Sequence, residues 1–399
     1  MKLTKKVLAV LLAALMVVVA AFAGCSASKS NDDSKEPSSS DAKTVKFGLI
    51  TLHDENSTYD KNFIAAAKEA AEACGVELVQ KNNIEEGQAA YEAAAELVDE
   101  GCNLILADSF GHEDYIIQAA KEFTDVQFLH ATGTKAHTEK LSNYHNAFSA
   151  IYEGRYLAGV AAGEKLNQMI ADKKITADQA KMGYVGAYTY AEVISGYTSF
   201  YLGAKSQCPS VTMEVKYTNS WASFDLEKEC AEALIADGCV LIGQHADTTG
   251  APTAAQAAGV PCVGYNVDMI ETAPDSALTS SSNNWGVYYT YAVQCMVDGT
   301  EIATDWTSGL KDGAVLITPL NEKTVAEGTQ EVVDEVESQI EDGSLHVFDT
   351  STWTVDGKTL DTYEKNGVEY ISDGYFHESE YGSAPAFDII IDGIDSIVE

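Results

Sequence analysis

Arginine is nearly absent: Arg155 is the only one in 399 residues. Bidentate recognition of carboxylates and phosphates leans on the guanidinium fork, so an anionic ligand such as an amino acid or a sugar phosphate is disfavoured and a neutral one favoured. Positive charge is scarce overall, with 25 basic against 61 acidic residues and a formal charge of −36. That balance denies the chain the basic footprint nucleic acid requires, so no nucleic-acid partner is expected. No two glycines are separated by a single residue, which excludes a G-x-G-x-x-G dinucleotide loop. Gly357-Lys358-Thr359 resembles the end of a phosphate loop, but Thr352 stands where its first glycine belongs. There is no G-x-S-x-G elbow, and His112-Glu113 and His377-Glu378 lack the second histidine of a zinc-binding H-E-x-x-H pair. The eight cysteines include no Cys-x-x-Cys pair. Cys74, Cys102 and Cys239, at helix-to-strand junctions, read as small buried hydrophobes, and no disulfide framework, metal or cofactor is expected.

What is present is a unit that occurs twice. In the first copy a helix-like run ending Ala95-Glu96-Leu97-Val98-Asp99 meets Gly101-Cys102, continues into Leu104-Ile105-Leu106-Ala107, and opens into a polar loop at Asp108. The second runs from Ala233-Leu234-Ile235-Ala236-Asp237 through Gly238-Cys239 and Val240-Leu241-Ile242-Gly243 to Gln244-His245-Ala246-Asp247. Glycine suits the left-handed stop of a helix, and the apolar run suits a parallel strand buried on both faces. Open parallel sheets bind ligands beyond the carboxyl ends of their strands, so both polar loops lie where a ligand belongs. Two such units imply two similar lobes facing one cleft.

The chain order supports this. Residues 1–24 carry Lys2, Lys5 and Lys6 and then the apolar run Val7 to Ala23, which reads as a secretory leader. Phe22-Ala23-Gly24-Cys25 resembles a bacterial lipobox, making Cys25 the lipidated first residue of the mature protein at the extracellular face of the cell membrane. Residues 25–43, rich in Ser, Asp and Lys, read as a flexible tether. From Val45 strands and helices alternate at the spacing of parallel βαβ units, and the alternation restarts near residue 150. We therefore expect an N-terminal lobe over 44–150, completed by about 283–310, and a C-terminal lobe over 151–282, completed by about 311–399. Glu153 to Gly163 is a small-residue helix suited to close packing. An acidic helix is expected over Val325 to Glu341 and a hairpin turn at Asp356-Gly357. The sequence from Asp361 onward offers little.

Several residues then carry a resemblance. Asn146-Ala147-Phe148 with Glu153-Gly154-Arg155-Tyr156-Leu157-Ala158-Gly159, Gly183-Tyr184-Val185-Gly186, and Val263-Gly264-Tyr265-Asn266-Val267-Asp268 resemble the basic membrane protein family, from about Val45 to about Gly357. These are lipoproteins that act as purine nucleoside receptors for ABC importers. The resemblance implies the α/β type I periplasmic-binding-protein fold, two doubly wound lobes with a central cleft and hinge crossovers that close around a ligand.

It also implies a site. Thr58-Tyr59-Asp60 falls on the family's Ser-Phe-Asn loop, which gives Tyr59 a stacking role on a purine face and puts Asp60 in place of an amide. Phe110 and Asp114 match a Phe and the Asp four residues after it, a partner for a base edge. Tyr188 and Tyr190 fall in the region of the second aromatic wall. His245 and Asp247 replace the family's Gly-rich loop. Asn266 and Asp268 fall on the ribose carboxylate region, with Asn266 in place of the first acid, and Asn283 stands where a ribose-contacting Lys belongs. These departures cluster on the sugar side, where Trp285 would fill space, so a free base such as adenine is as much implied as a nucleoside. Each residue has a plainer role open to it: Tyr59 as a helix staple, His245 as a loop histidine, Asp114 as a helix-dipole partner, Trp285 as core. The expected function is a lipid-anchored, non-enzymatic solute receptor for an ABC permease. The alternatives are a neutral-sugar receptor of the same fold and an extracellular hydrolase working through Asp108 with Asp114 or Asp247 with Asp268.

Overall fold

In a computed structural model, residues 44–396 are described. The expected leader at 1–24, the lipidation site Cys25 and the tether at 25–43 lie outside the described residues. In chain order the strands are β1 (Lys46–Ile50), β2 (Glu77–Lys81), β3 (Leu104–Ala107), β4 (Gln127–Ala131) and β5 (Tyr144–Ala147). They continue with β6 (Lys181–Gly186), β7 (Thr212–Tyr217), β8 (Leu241–Gln244), β9 (Cys262–Tyr265), β10 (Ala277–Asn283), β11 (Asp305–Trp306) and β12 (Val315–Ile317). One sheet has the order β11-β5-β4-β3-β1-β2, and the other β12-β10-β9-β8-β6-β7, extended at its far edge by the closing strand Ile394–Ser396. The second sheet thus repeats the first with β6 to β10 in place of β1 to β5. The strands of both are parallel except where β12 runs against β10.

The strand of the first copy of the repeated unit, β3, is fully apolar because helices cover both faces: Leu104, Ile105, Leu106 and Ala107 are all inaccessible to solvent. The two glycines that link helix to strand in the repeated unit, Gly101 at φ +89 and Gly238 at φ +91, hold the left-handed stop that the repeat demands. The chain passes between the sheets after β5, after β10 and again after β11. This is the type I periplasmic-binding-protein fold, two α/β lobes whose crossovers act as a hinge.

Two helices make the close contact foreseen in the small-residue run. Ile151–Ala171 packs on Ala191–Gln207, where a side chain at Gly159 would meet the Phe200 carbonyl and one at Gly203 the Tyr156 carbonyl. The acidic helix begins at Thr329, later than the apolar spacing implied, because Gly328 turns the backbone to φ +85 just before it. Asp356 and Gly357 form a tight turn with φ +51 and +73, closed by reciprocal Val355 and Lys358 backbone bonds of 2.9 and 3.1 Å.

The tail is structured. Phe348 stacks on Phe387 at 4.4 Å, and Trp353 meets the same ring edge-on at 5.6 Å. Its anchor is Glu378, buried and accepting from Ser195 Oγ (2.6 Å) and from the Ala386 and Phe387 N–H groups (2.9 Å each). Burial pushes this carboxyl up to about 7 against those three donors. The folded chain therefore holds the proton more tightly than the unfolded chain, so this group's contribution to stability falls as pH rises from about 4.5 to about 7 and is level above. Glu378→Gln is expected to flatten the slope of melting temperature against pH in that window. Parallel curves for the two proteins would contradict this.

Candidate ligand-binding site

The loops at the carboxyl ends of β1 and β3, and of β6 and β8, are where strand order reverses within each sheet, and they face one another. Between them lies a cleft with about 400 Å³ of space free of protein atoms, part of it open to solvent. The first lobe contributes Leu52, His53, Tyr59, Asp60, Ser109, Phe110 and Thr132. The second contributes Glu192, Trp221, His245, Asp247 and Tyr265. The lobes meet across it: the Thr58 N–H donates to the Asp247 carbonyl at 2.8 Å and the Asn62 amide to the Asn283 carbonyl at 2.7 Å. At the rim, Phe110 lies 5.3 Å from Tyr190. This is the closed arrangement of the two lobes.

Helix capping sets the first wall. Ser57 caps the helix Thr58–Cys74, which fixes Tyr59 and Asp60 in its first turn. Tyr59 donates its hydroxyl to the Asp108 carbonyl at 2.9 Å and packs its ring 4.8 Å from Phe63. Asp60 accepts from Ser57 Oγ (2.5 Å), from the His53 N–H (2.7 Å) and from His53 Nδ1 (3.4 Å). Burial works against its charge, but these donors outweigh it and hold the carboxyl below its usual range, while the same contact raises His53. The charged form of the Asp60 carboxyl is therefore favoured. Asp108 behind them is the opposite case. Burial first, and then the Asp60 charge, push it well up. Its Oδ1 accepts from the Leu52 N–H at 3.1 Å and its buried Oδ2 has no partner.

On the second wall, Asp247 is likewise pushed well up, by burial and then by Glu227, Asp60 and Glu192, although the Asn266 amide donates to it at 2.9 Å. His245 is held in one tautomer. Arg155 Nη2 donates to its Nδ1 at 3.2 Å, so Nε2 carries the proton and donates to Glu192 at 3.3 Å. Burial, then the Arg155 charge, push the imidazole down to about 4, so it is neutral at neutral pH. The guanidinium lies 3.7 Å over the Tyr265 ring and is spent on structure, leaving the cavity without an arginine of its own. A neutral ligand with N–H donors and ring acceptors fits this mixture of carboxyl groups and imidazole.

The expected residues divide. Tyr59, Asp60, Phe110, His245 and Asp247 come together at the cavity. Tyr188 and Tyr190 do form an aromatic wall, stacked at 5.3 Å, but it is Trp221, 5.0 Å from Tyr188, that lines the cavity. Asp114 points away: its side chain is 68% exposed and pairs with Lys135. The 3-10 turn Phe110–His112 shifts the helical phase, so Glu113 turns inward instead and accepts from the Thr134 and Lys135 N–H groups at 2.7 and 2.8 Å. Asp268 is also outward, accepting the Ile270 N–H at 2.8 Å, because Asn266 takes a left-handed φ of +66 and turns the loop. Asn283 is buried, bonded to Ser149 and, at 3.4 Å, to the Tyr265 hydroxyl. Trp285 is core rather than filler of the sugar side, stacked 4.3 Å from Phe63 and 5.9 Å from Phe148. With Asp114 and Asp268 both outward, neither carboxylate pair considered for hydrolysis faces the cavity as a pair.

Residues 48–345 match the family of PnrA-like ABC transporter substrate-binding proteins. The chain belongs to this family. Its role is to bind a small solute outside the cytoplasm and deliver it to an ABC permease, not to transform it. A purine-binding protein of Brucella abortus is 34% identical over 333 residues, 81% of this chain and 87% of the relative. A putative ABC transporter glucose-binding protein of Haloferax volcanii is 31% identical over 249 residues, 62% of this chain and 59% of the relative. A solute-binding protein from Aeropyrum pernix superposes with a TM-score of 0.65 at 17% identity, over 76% of this chain and 93% of that one. One from Conexibacter woesei gives 0.61 at 20% identity, over 76% and 98%. Among the described residues no helix is long and apolar enough to cross a membrane.

Proposed function

We propose that this family member binds a purine, as free base or nucleoside, in the interlobe cavity, and that Cys25 carries the lipid that holds it at the outer face of the cell membrane. The observation that carries the ligand reading is the pairing of aromatic faces with ring-edge partners from both lobes. Tyr59 and Phe110 from the first lobe and Trp221 and Tyr265 from the second line the cavity, and the Asp60 and Asp247 carboxyl groups lie among them. A planar heterocycle rich in N–H groups satisfies both sets. The 34% identity to a purine-binding relative points the same way. The glucose-binding name of the Haloferax relative supports a second reading, since aromatic rings also stack on pyranose faces.

Thermal shifts against adenine, hypoxanthine, guanine, their nucleosides, glucose, galactose and ribose separate the two. A purine at about 100 times its dissociation constant adds roughly 2.7 kcal/mol and a clear rise in melting temperature. A response to sugars alone would overturn the purine reading. Mass analysis of the N-terminal peptide from a membrane fraction tests the anchor; an unmodified Cys25 there would contradict it.

A further inference from the structure

A second hollow, with about 790 Å³ of open space, adjoins the ligand cavity. Three parts of the chain wall it: Phe110, Thr132 and Thr134 from the first lobe, Thr189 to Glu192 from the second, and Lys365, Ala384, Pro385 and Asp388 from the tail. Phe110, Thr132 and Glu192 line both spaces, so the hollow is a vestibule that abuts the cavity at that edge. Its third wall lies beyond residue 345, where the family match ends. That wall is built rather than loose. Lys365 Nζ joins Asp388 at 2.7 Å to the Ala386 carbonyl at 3.2 Å, and Tyr363 donates to the same carboxylate. The Ser383 N–H ties the segment to Asp305 of the first lobe at 3.0 Å, while Glu378 ties it to Ser195 of the second.

We propose that this vestibule, with the tail as its outer wall, is the subsite for the sugar of a nucleoside whose base occupies the cavity; the proposal rests on the purine reading above. The positions to which the resemblance assigns sugar contacts are occupied otherwise. Asn266 is tied to Asp247, Asn283 to Ser149 and Tyr265, and Asp268 faces solvent. The vestibule instead offers groups that exchange hydrogen bonds with hydroxyls: Thr132, Thr134, Thr189, the Glu192 and Asp388 carboxylates and the Lys365 ammonium. Its charge balance selects against a phosphate. Lys365 is already paired with Asp388, and Glu192 leaves the lining net negative, so a hydroxylated, uncharged substituent fits and a nucleotide does not.

Calorimetric titration with matched pairs, adenine with adenosine and hypoxanthine with inosine, tests this on the whole mature chain. The wild-type protein is expected to bind the nucleosides. Ala384→Trp, which fills the vestibule from the tail, is expected to lower nucleoside affinity at least about tenfold and leave the free bases within about twofold. Lys365→Met removes one hydrogen-bonding group without filling space, and is expected to cost the nucleosides alone about three- to tenfold. It decides the matter should the larger variant fail to fold by circular dichroism. Wild-type binding of bases without nucleosides, or variants in which bases and nucleosides change alike or not at all, would overturn the subsite. Absence of all purine binding would instead remove the reading on which it rests.

Discussion

Trp221→Ala is expected to weaken purine binding about ten- to a hundredfold while leaving the fold intact. Stacking of a base on an aromatic side chain contributes about 1–3 kcal/mol, roughly five- to 150-fold in affinity, which brackets that range. Tyr188 meets Trp221 edge-on at 5.0 Å and Tyr190 lies 5.9 Å away, so neighbouring rings fix the indole in place. Because it sits on the loop after β7 and is only partly buried, its truncation opens no hole in either lobe. Calorimetric titration reads the effect. An affinity within about twofold of wild type, in a protein that melts normally, would contradict a stacking role.

Arg155→Ala is expected to destabilise the protein by about 3–5 kcal/mol, the largest effect of any single change considered, because removing one member of a buried charged network strands its partners. The guanidinium donates to the Tyr184 hydroxyl at 2.7 Å, the Gln244 carbonyl at 2.9 Å and His245 Nδ1 at 3.2 Å, and covers the Tyr265 face. Its loss leaves these acceptors unpaired and frees the His245 tautomer, so ligand affinity is expected to fall with stability. Lysine does not substitute, since one ammonium cannot span the three acceptors in the planar fork geometry. Urea unfolding checks this, and a loss below about 1 kcal/mol would contradict the role given to Arg155.

The near-absence of arginine thus has a structural counterpart. Composition alone disfavoured an anionic ligand, and the sole guanidinium is committed beneath the cavity rather than pointing into it. The repeated helix-glycine-strand-loop unit made the paired sheets legible, because a left-handed glycine stop followed by a strand buried on both faces is a strong local pattern. What stayed hidden was the phase of side chains in the loops. Asp114 and Glu113 differ by one residue, and only the 3-10 turn before them decides which faces inward. Leu52, His53, Ser109, Thr132, Glu192, Trp221 and Tyr265 were missed although each follows or ends a parallel strand, because the site positions were taken from the resemblance and not from every residue of those loops. Asn283 and Trp285 were read as site residues because the resemblance puts Asn283 at a sugar-contacting position with Trp285 beside it, whereas here both are buried, Asn283 bonded to Ser149 and Trp285 stacked on Phe63. The tail was illegible because its strands are two or three residues long, too short for any periodicity.

The most direct test of the central claim is mass spectrometry, with ultraviolet absorbance, of whatever the purified protein releases on denaturation. A purine or its nucleoside in near-equimolar amount, rebinding to the refolded protein, is the predicted result. A sugar released in that amount, with no purine response in titration, would keep the family and the fold and contradict the ligand.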